Sequence, residues 1–310
     1  MSVTDTALIR GVSPSDFKGS GELEKARRRS DRRITLALVL PGILGLAVCF
    51  VFPLLFMARM SFNVGEPNGV VHETVTLETY VRALADPYYW KVTVDTFWMG
   101  LVTALLCVIV SYPIALFLAR TESKWKGILV ALAIAPLLTS AVVRTFGWMV
   151  ILGNQGLINN TLIDLGFIQT PLVLSNNMTG VIIGLVEIFM PYAILTMMSG
   201  FGQISTQLEE AAGSLGASKA KVFTRVTLPL SLPGVLTGFL LVFVLSISTF
   251  VTPRLLGGGV VQVLATEIYD QATGLLNWPF AAALSMILLV LFGTVIAAYT
   301  AIIKKMGFSS

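Results

Sequence analysis

The chain alternates long stretches without charge and short stretches crowded with it. Uncharged runs cover Ile34–Ala58, Thr96–Ala119, Gly127–Val143, Val226–Pro253 and Ala272–Ile303, and a further run, Met178–Phe201, is apolar except for Glu187. A helix needs about 20 apolar residues to cross a ~30 Å hydrocarbon core, and each run has that length or comes close to it. None shows the period-two alternation of a transmembrane barrel strand. Backbone amides in lipid must be satisfied within the segment, so the runs are predicted as helices. The expected fold class is an all-α membrane protein with six transmembrane helices, near 34–61, 96–119, 128–152, 178–201, 233–253 and 281–303. A polar tail, 1–33, precedes the first span.

Composition agrees with the pattern: 55% of residues are hydrophobic, 12% are charged, and mean hydropathy is +0.83. Soluble domains carry about twice that share of charge. Lys and Arg set the orientation. With six spans starting inside, sixteen of the 21 basic residues fall in the tail, 120–127, 202–232 and the C-terminus. Arg59, Arg82, Lys91, Arg144 and Arg254 fall outside or near the outer face. Both termini and the 202–232 segment are therefore expected in the cytoplasm. The KARRRSDRR run before the first span is read as a topology anchor on anionic lipid rather than a nucleic-acid site. Cys49 and Cys107 both sit in predicted spans, where they imply neither a disulfide nor a metal site.

The first external loop, 62–95, contains TLETYVRALADPYYW, whose apolar spacing suits a helix lying on the membrane surface. Its acidic residues suit an external partner, and Tyr88, Tyr89 and Trp90 an aromatic belt. His72, the only histidine, is read as solvated. No catalytic constellation emerges: the chain lacks GxSxG, HExxH and the GxxxxGK[ST] phosphate loop. The chain is accordingly expected to be neither an enzyme nor a metal-binding protein.

The 202–232 stretch is too polar and too punctuated to cross a membrane. Thr206 and Glu209 are spaced for a capping box, the following helix would end near Gly216 in a left-handed cap, and Ser218 would cap a second short helix ended by Pro229. Pro233 suits the opening turn of the fifth span. Small residues (Ala211, Ala212, Gly213) would allow a partner to approach closely; an ordinary amphipathic loop fits the local chemistry equally well.

Glu210-Ala211-Ala212, Gly216, Val226 and Leu228-Pro229 fall at the spacings of the EAA---G---------I-LP signature, with Val for Ile at 226. The loop thereby resembles that of permease subunits in ABC importers. The likeness extends through PGILGLAVCFVFPLLFMARMSF, ALADPYYW, SYPIALFLAR, TPRLLGGG and NWPFAAALS, which are similar to type I importer permeases of the spermidine/putrescine group. The resemblance implies that Glu210, Ala211, Ala212, Gly216, Leu228 and Pro229 couple the chain to a separate ATPase. It further implies two ATPases that bind ATP and magnesium, a second and different permease chain, an external solute-binding protein, and a bacterial inner-membrane location. No cofactor is expected in this subunit. A small cationic amine is the implied solute; an opine, a phosphonate or another amino compound is the alternative within the family. A secondary transporter or channel would explain six helices but not the loop.

Charge inside a span is costly, at least ~2.5 kcal/mol at the centre. Glu187 lies roughly 14 Å deep and Arg144 near the outer third, an axial offset of about 8 Å at 1.5 Å per residue. Glu187 has three readings: a pair with Arg144, a neutral hydrogen-bonded acid, or a cation-recognising group facing the pathway, the last slightly preferred. Pro191 removes the helical donor of the Glu187 carbonyl and is expected to open the helix locally. Tyr192, Asn154 and Gln155 complete the candidate pathway residues.

Overall fold

The computed structural model describes residues 38–66 and 69–305, with the Ile302 side chain excepted. The basic tail, 1–33, lies outside the described residues. Residues up to Arg59 and those from Met60 onward form separate units.

Helix α1, Leu38–Met60, lies in the first unit up to Arg59, and most of its large apolar side chains are exposed. A π turn, Ala47–Val51, ends two residues before Pro53. Its wider register takes up the slack where proline cannot donate.

In the second unit, a two-stranded antiparallel hairpin, β1 (Val64–Gly65) and β2 (Val71–His72), pairs Val64 with His72. Helix α2, Glu78–Ala85, follows where the surface helix is expected. Helix α3 runs from Pro87 to Arg120. It begins well before the expected residue 96, because Asp86 accepts from the Tyr88 amide and Pro87 suits the first turn. The Tyr88-Tyr89-Trp90 belt therefore belongs to the helix itself. Tyr89 packs edge-on against Phe280, over which the Arg82 guanidinium also lies.

The expected span 128–152 is not one helix. It comprises α4 (Lys126–Ile134), a 3-10 turn (Ala135–Leu138) and α5 (Ala141–Leu152), followed by α6 (Leu157–Asp164), with a 90° bend between the two halves. Pro136 ends the first half, Thr139 is extended, and the Ser140 side chain caps the new start at Val142.

Helices α7 (Met178–Phe201), α8 (Thr206–Ser214), α9 (Lys219–Val222) and α10 (Leu228–Ser248) come next, with a π turn, Phe223–Thr227, joining the last two. Helices α11 (Val251–Leu256), α12 (Leu264–Tyr269) and α13 (Trp278–Lys305) complete the chain.

The core lies where α3, α7 and α10 pack together, around Met99, Cys107, Leu185, Met197, Phe243 and Ile247. Small residues let the backbones approach. A Cβ on Gly200 would stand 2.7 Å from the Gly234 Cα, and one on Gly100 would overlap Ile247. Across the α3–α7 seam, Cys107 donates to the Val186 carbonyl (3.2 Å) and Ser111 to that of Met190 (3.4 Å). These carbonyls flank Glu187 and Pro191, and α7 runs unbroken through the proline, so the expected local opening is absent. Outward-facing Leu, Val, Ile and Phe on α1, α3 and α13, and Leu on α10, suit lipid contact, whereas α7 exposes only Tyr192 among its large apolar side chains.

Candidate functional site: the 202–232 loop and an intramembrane ion pair

Helix α8 is capped by Ser205, not Thr206. Ser205 is extended (φ −64°, ψ 128°) and its hydroxyl accepts from the Gln207 amide at 3.3 Å. The capping box expected between Thr206 and Glu209 does not form, because the Glu209 carboxylate is engaged elsewhere. Its Oε1 accepts from Arg120 Nη2 at 2.6 Å and from Thr227 Oγ1 at 3.0 Å. Arg120, the last residue of α3, also donates Nη1 to the Ile204 carbonyl at 3.0 Å.

The C-terminus of α8 is as the sequence suggests. Gly216 has φ +81°, its amide bonds the Gly213 carbonyl, and the Ala217 amide bonds that of Ala212, closing a Schellman motif. A Cβ on Gly216 would meet nothing within 4 Å, so backbone conformation selects glycine here rather than crowding within the chain. Ser218 is extended before α9 without making a side-chain cap. Pro229 does not end that helix: the π turn carries it into α10, giving one helical path from Lys219 to Ser248 that includes Pro233. Glu210, Ala211, Gly216, Leu228 and Pro229 are exposed and Ala212 is half-buried. Leu215 at the corner is 89% exposed. The adjacent glutamates thus divide: Glu209 turns to its own chain and Glu210 to the outside.

Deeper in the bundle, Arg144 on α5 reaches Glu187 on α7 at 3.3 Å, and the Trp148 indole donates to the other Glu187 oxygen at 3.3 Å. The depth counted along a straight 128–152 helix fails because of the 90° bend: Arg144 is the fourth residue of a newly started helix. Buried Thr145, beside Arg144, meets Thr252 of α11 at 3.1 Å, tying the same turn of α5 to a third helix. Pro191 is buried; Tyr192 is 38% exposed, its ring tilted against Phe189. Asn154 and Gln155 are exposed on the turn between α5 and α6, apart from the Arg144–Glu187–Trp148 hydrogen bonds. The buried amide nearby is Asn159, which bonds the Gly153 and Leu172 carbonyls and the Leu172 amide.

Sequence reasoning missed Arg120, Thr227, Ser205, Trp148 and Asn159. It also missed Glu267, a buried carboxylate on α12 that accepts from the Tyr88 hydroxyl and the Gln271 amide, both at 2.9 Å. A basic last turn on α3 was the available signal for Arg120, and a serine directly before the helix start was the signal for Ser205. Thr227, Trp148, Asn159 and the Tyr88–Glu267 contact pair across distances that periodicity does not encode.

Residues 24–307 match the family described as binding-protein-dependent transport system inner membrane component. The chain is 35% identical over 263 residues to the spermidine/putrescine transport system permease protein PotB of Salmonella typhimurium LT2, covering 84% of this chain and 91% of that protein. The Escherichia coli K12 protein of the same name is also 35% identical, over 258 residues, covering 83% and 94%. Among solved structures, a bacterial ABC transporter involved in the import of the acidic polysaccharide alginate superposes with TM-score 0.73 at 16% identity, over 92% of this chain and 99% of that one. The MetNI methionine ABC transporter in an inward-facing form gives 0.54 at 17%, over 71% and 98%. At these identities the structural likeness speaks for the fold, and the relatives in sequence for the family. The chain belongs to the inner membrane components of binding-protein-dependent transport systems: it is a multi-pass bacterial inner-membrane permease subunit of an ABC importer.

Proposed function

We propose that this permease moves a polyamine of the putrescine or spermidine type, as half of a pathway shared with a second, different permease chain. The observation that carries the reading is the 35% identity, along 91% of their length, to permeases named for spermidine and putrescine. Two ATPases would bind ATP and magnesium on the cytoplasmic side, where the Lys and Arg distribution would put the 202–232 loop and both termini, and an external solute-binding protein would deliver the solute. The exposed strip of Glu210, Ala211, Leu215 and Gly216 is the surface offered to one ATPase, with Ala212, Leu228 and Pro229 shaping its corner. Closing the ATPase pair on ATP moves this loop and turns the cavity outward; hydrolysis reverses the change. Opposite charge and hydrogen bonding support the pair reading of Glu187, which locks α5 to α7. In that reading Pro191 and Tyr192 shape the same helix, Asn154 and Gln155 sit at its neighbour's turn, and solute choice rests chiefly with the binding protein.

The test is uptake by the assembled complex in proteoliposomes loaded with ATP. Labelled putrescine or spermidine should accumulate, depend on the binding protein, and be displaced by unlabelled polyamine. Accumulation of an opine or a phosphonate but no polyamine would replace the solute and keep the machine. Uptake independent of ATP would point to a secondary transporter.

A further inference from the structure

Helix α8 has no buried residue. A helix that moves with an ATPase and drives a membrane bundle needs an attachment to that bundle, and apolar packing does not supply it here. The attachment is polar and compact. Arg120 Nη2 meets Glu209 at 2.6 Å, Arg120 Nη1 takes the Ile204 carbonyl at 3.0 Å, and Thr227, itself 5% exposed, donates to the same Glu209 oxygen at 3.0 Å. One ion pair therefore joins the end of α3, the turn after α7, the first turn of α8 and the π turn that opens α10. The charges also suit the helix ends that carry them: a cation in the last turn of α3 and an anion in the first turn of α8. Two helical turns back along α3, the Tyr112 hydroxyl meets Ser231 of α10 at 3.1 Å, and its ring packs edge-on against Phe201 and Phe223. This second tie keeps α3 and α10 together behind the clamp.

We propose that Arg120 is a positioning residue for coupling: through Glu209 and Thr227 it holds the ATPase-facing helix to α3 and α10, so that movement of α8 reorients both. The inference rests on the importer reading above. A guanidinium fork is what this geometry demands, because one side chain must serve a carboxylate and a backbone carbonyl at once; lysine has the charge without the fork.

The test uses the whole reconstituted complex and reads two rates, solute uptake and solute-stimulated ATP hydrolysis, whose ratio reports coupling. In Glu209→Gln, which keeps shape and removes charge, ATP spent per solute should rise about fivefold or more, the lower bound of ordinary coupling energies. Arg120→Lys should fall between it and wild type. Arg120→Gln combined with Glu209→Gln should be no worse than Arg120→Gln alone, since the second change removes only a contact that the first has already broken. Copurification of the partners and a normal melting profile establish that the variants assemble; should Arg120→Gln fail to assemble, Arg120→Lys and Glu209→Gln decide. An unchanged ratio in assembled Glu209→Gln, or additive effects in the double variant, overturns the clamp. Absence of ATP-coupled uptake in the wild-type complex overturns the importer reading instead, before any variant is compared.

Discussion

Among the described residues, the Arg120–Glu209 and Arg144–Glu187 pairs both join helices, and they differ in what surrounds them. Arg120–Glu209 closes at 2.6 Å and Arg144–Glu187 at 3.3 Å, with side-chain exposures of 22% and 26% in the first and 12% and 29% in the second. Burial alone does not separate them. The first stands beside the exposed residues of α8 and shares its charge with a backbone carbonyl and a threonine hydroxyl. The second lies between apolar helices, with a tryptophan N–H as its other donor. A partner lost at the first pair can be replaced by water; a partner lost at the second leaves a charge among apolar side chains such as Leu106, Val110 and Ile183. On the proposals above, the same chemistry would serve coupling in one place and stability in the other.

The sharpest way to break this comparison is Glu187→Gln. It strands the Arg144 guanidinium; removing one member of a fully buried pair destabilises by about 3–5 kcal/mol, which is the ceiling for this half-buried one. The melting temperature of the assembled complex should fall clearly, and adding Arg144→Gln should recover most of the loss. Lost uptake with unaltered melting would return Glu187 to the role of a solute-recognising acid and dissolve the contrast. Glu209→Gln, by comparison, should barely move the melting temperature.

Next in size is Gly216→Asp. A left-handed non-glycine residue costs on the order of 1–2 kcal/mol, and beyond its chain neighbours no described residue comes within 4 Å of the new Cβ. Membrane insertion and helix content should survive. Solute-stimulated ATP hydrolysis should drop by roughly tenfold, equivalent to about 1.4 kcal/mol of lost coupling, because the carboxylate enters the surface offered to the ATPase. Full hydrolysis and uptake in proteoliposomes would remove Gly216 from that surface.

These regions were not equally legible in the sequence. The spans follow from charge-free length, and Gly216 from a helix that must stop where only glycine turns left easily. The bend in the third run was foreshadowed by Pro136 and Ser140, yet its unbroken hydropathy concealed it. Hydropathy averages over a window and does not register where a backbone bond is lost. Arg144 was assigned a depth along a straight helix, so its contact with Glu187 looked stretched. Proline was over-read at 229 and 191. A π turn absorbs the missing donor before the first, and α7 continues through the second. Glu209 was the subtlest case. A capping box and a long-range ion pair make the same local demand, a carboxylate in the first turn, and only tertiary contact chooses between them.

The smallest effect tests that choice. Ser205→Ala removes the acceptor of the Gln207 amide and should weaken the start of α8 by about 1 kcal/mol. Thr206→Ala should stay within about 0.5 kcal/mol, as an exposed substitution away from any cap. Hydrogen–deuterium exchange of the 203–215 segment separates them: exchange should quicken roughly fivefold in Ser205→Ala, the rate equivalent of about 1 kcal/mol, and stay at the wild-type rate in Thr206→Ala. The reverse pattern would make Thr206 the cap and free Glu209 to complete the box. Arg120 would then lose its carboxylate, α8 would be fastened by its own backbone alone, and the contrast between the two ion pairs would lose its first member.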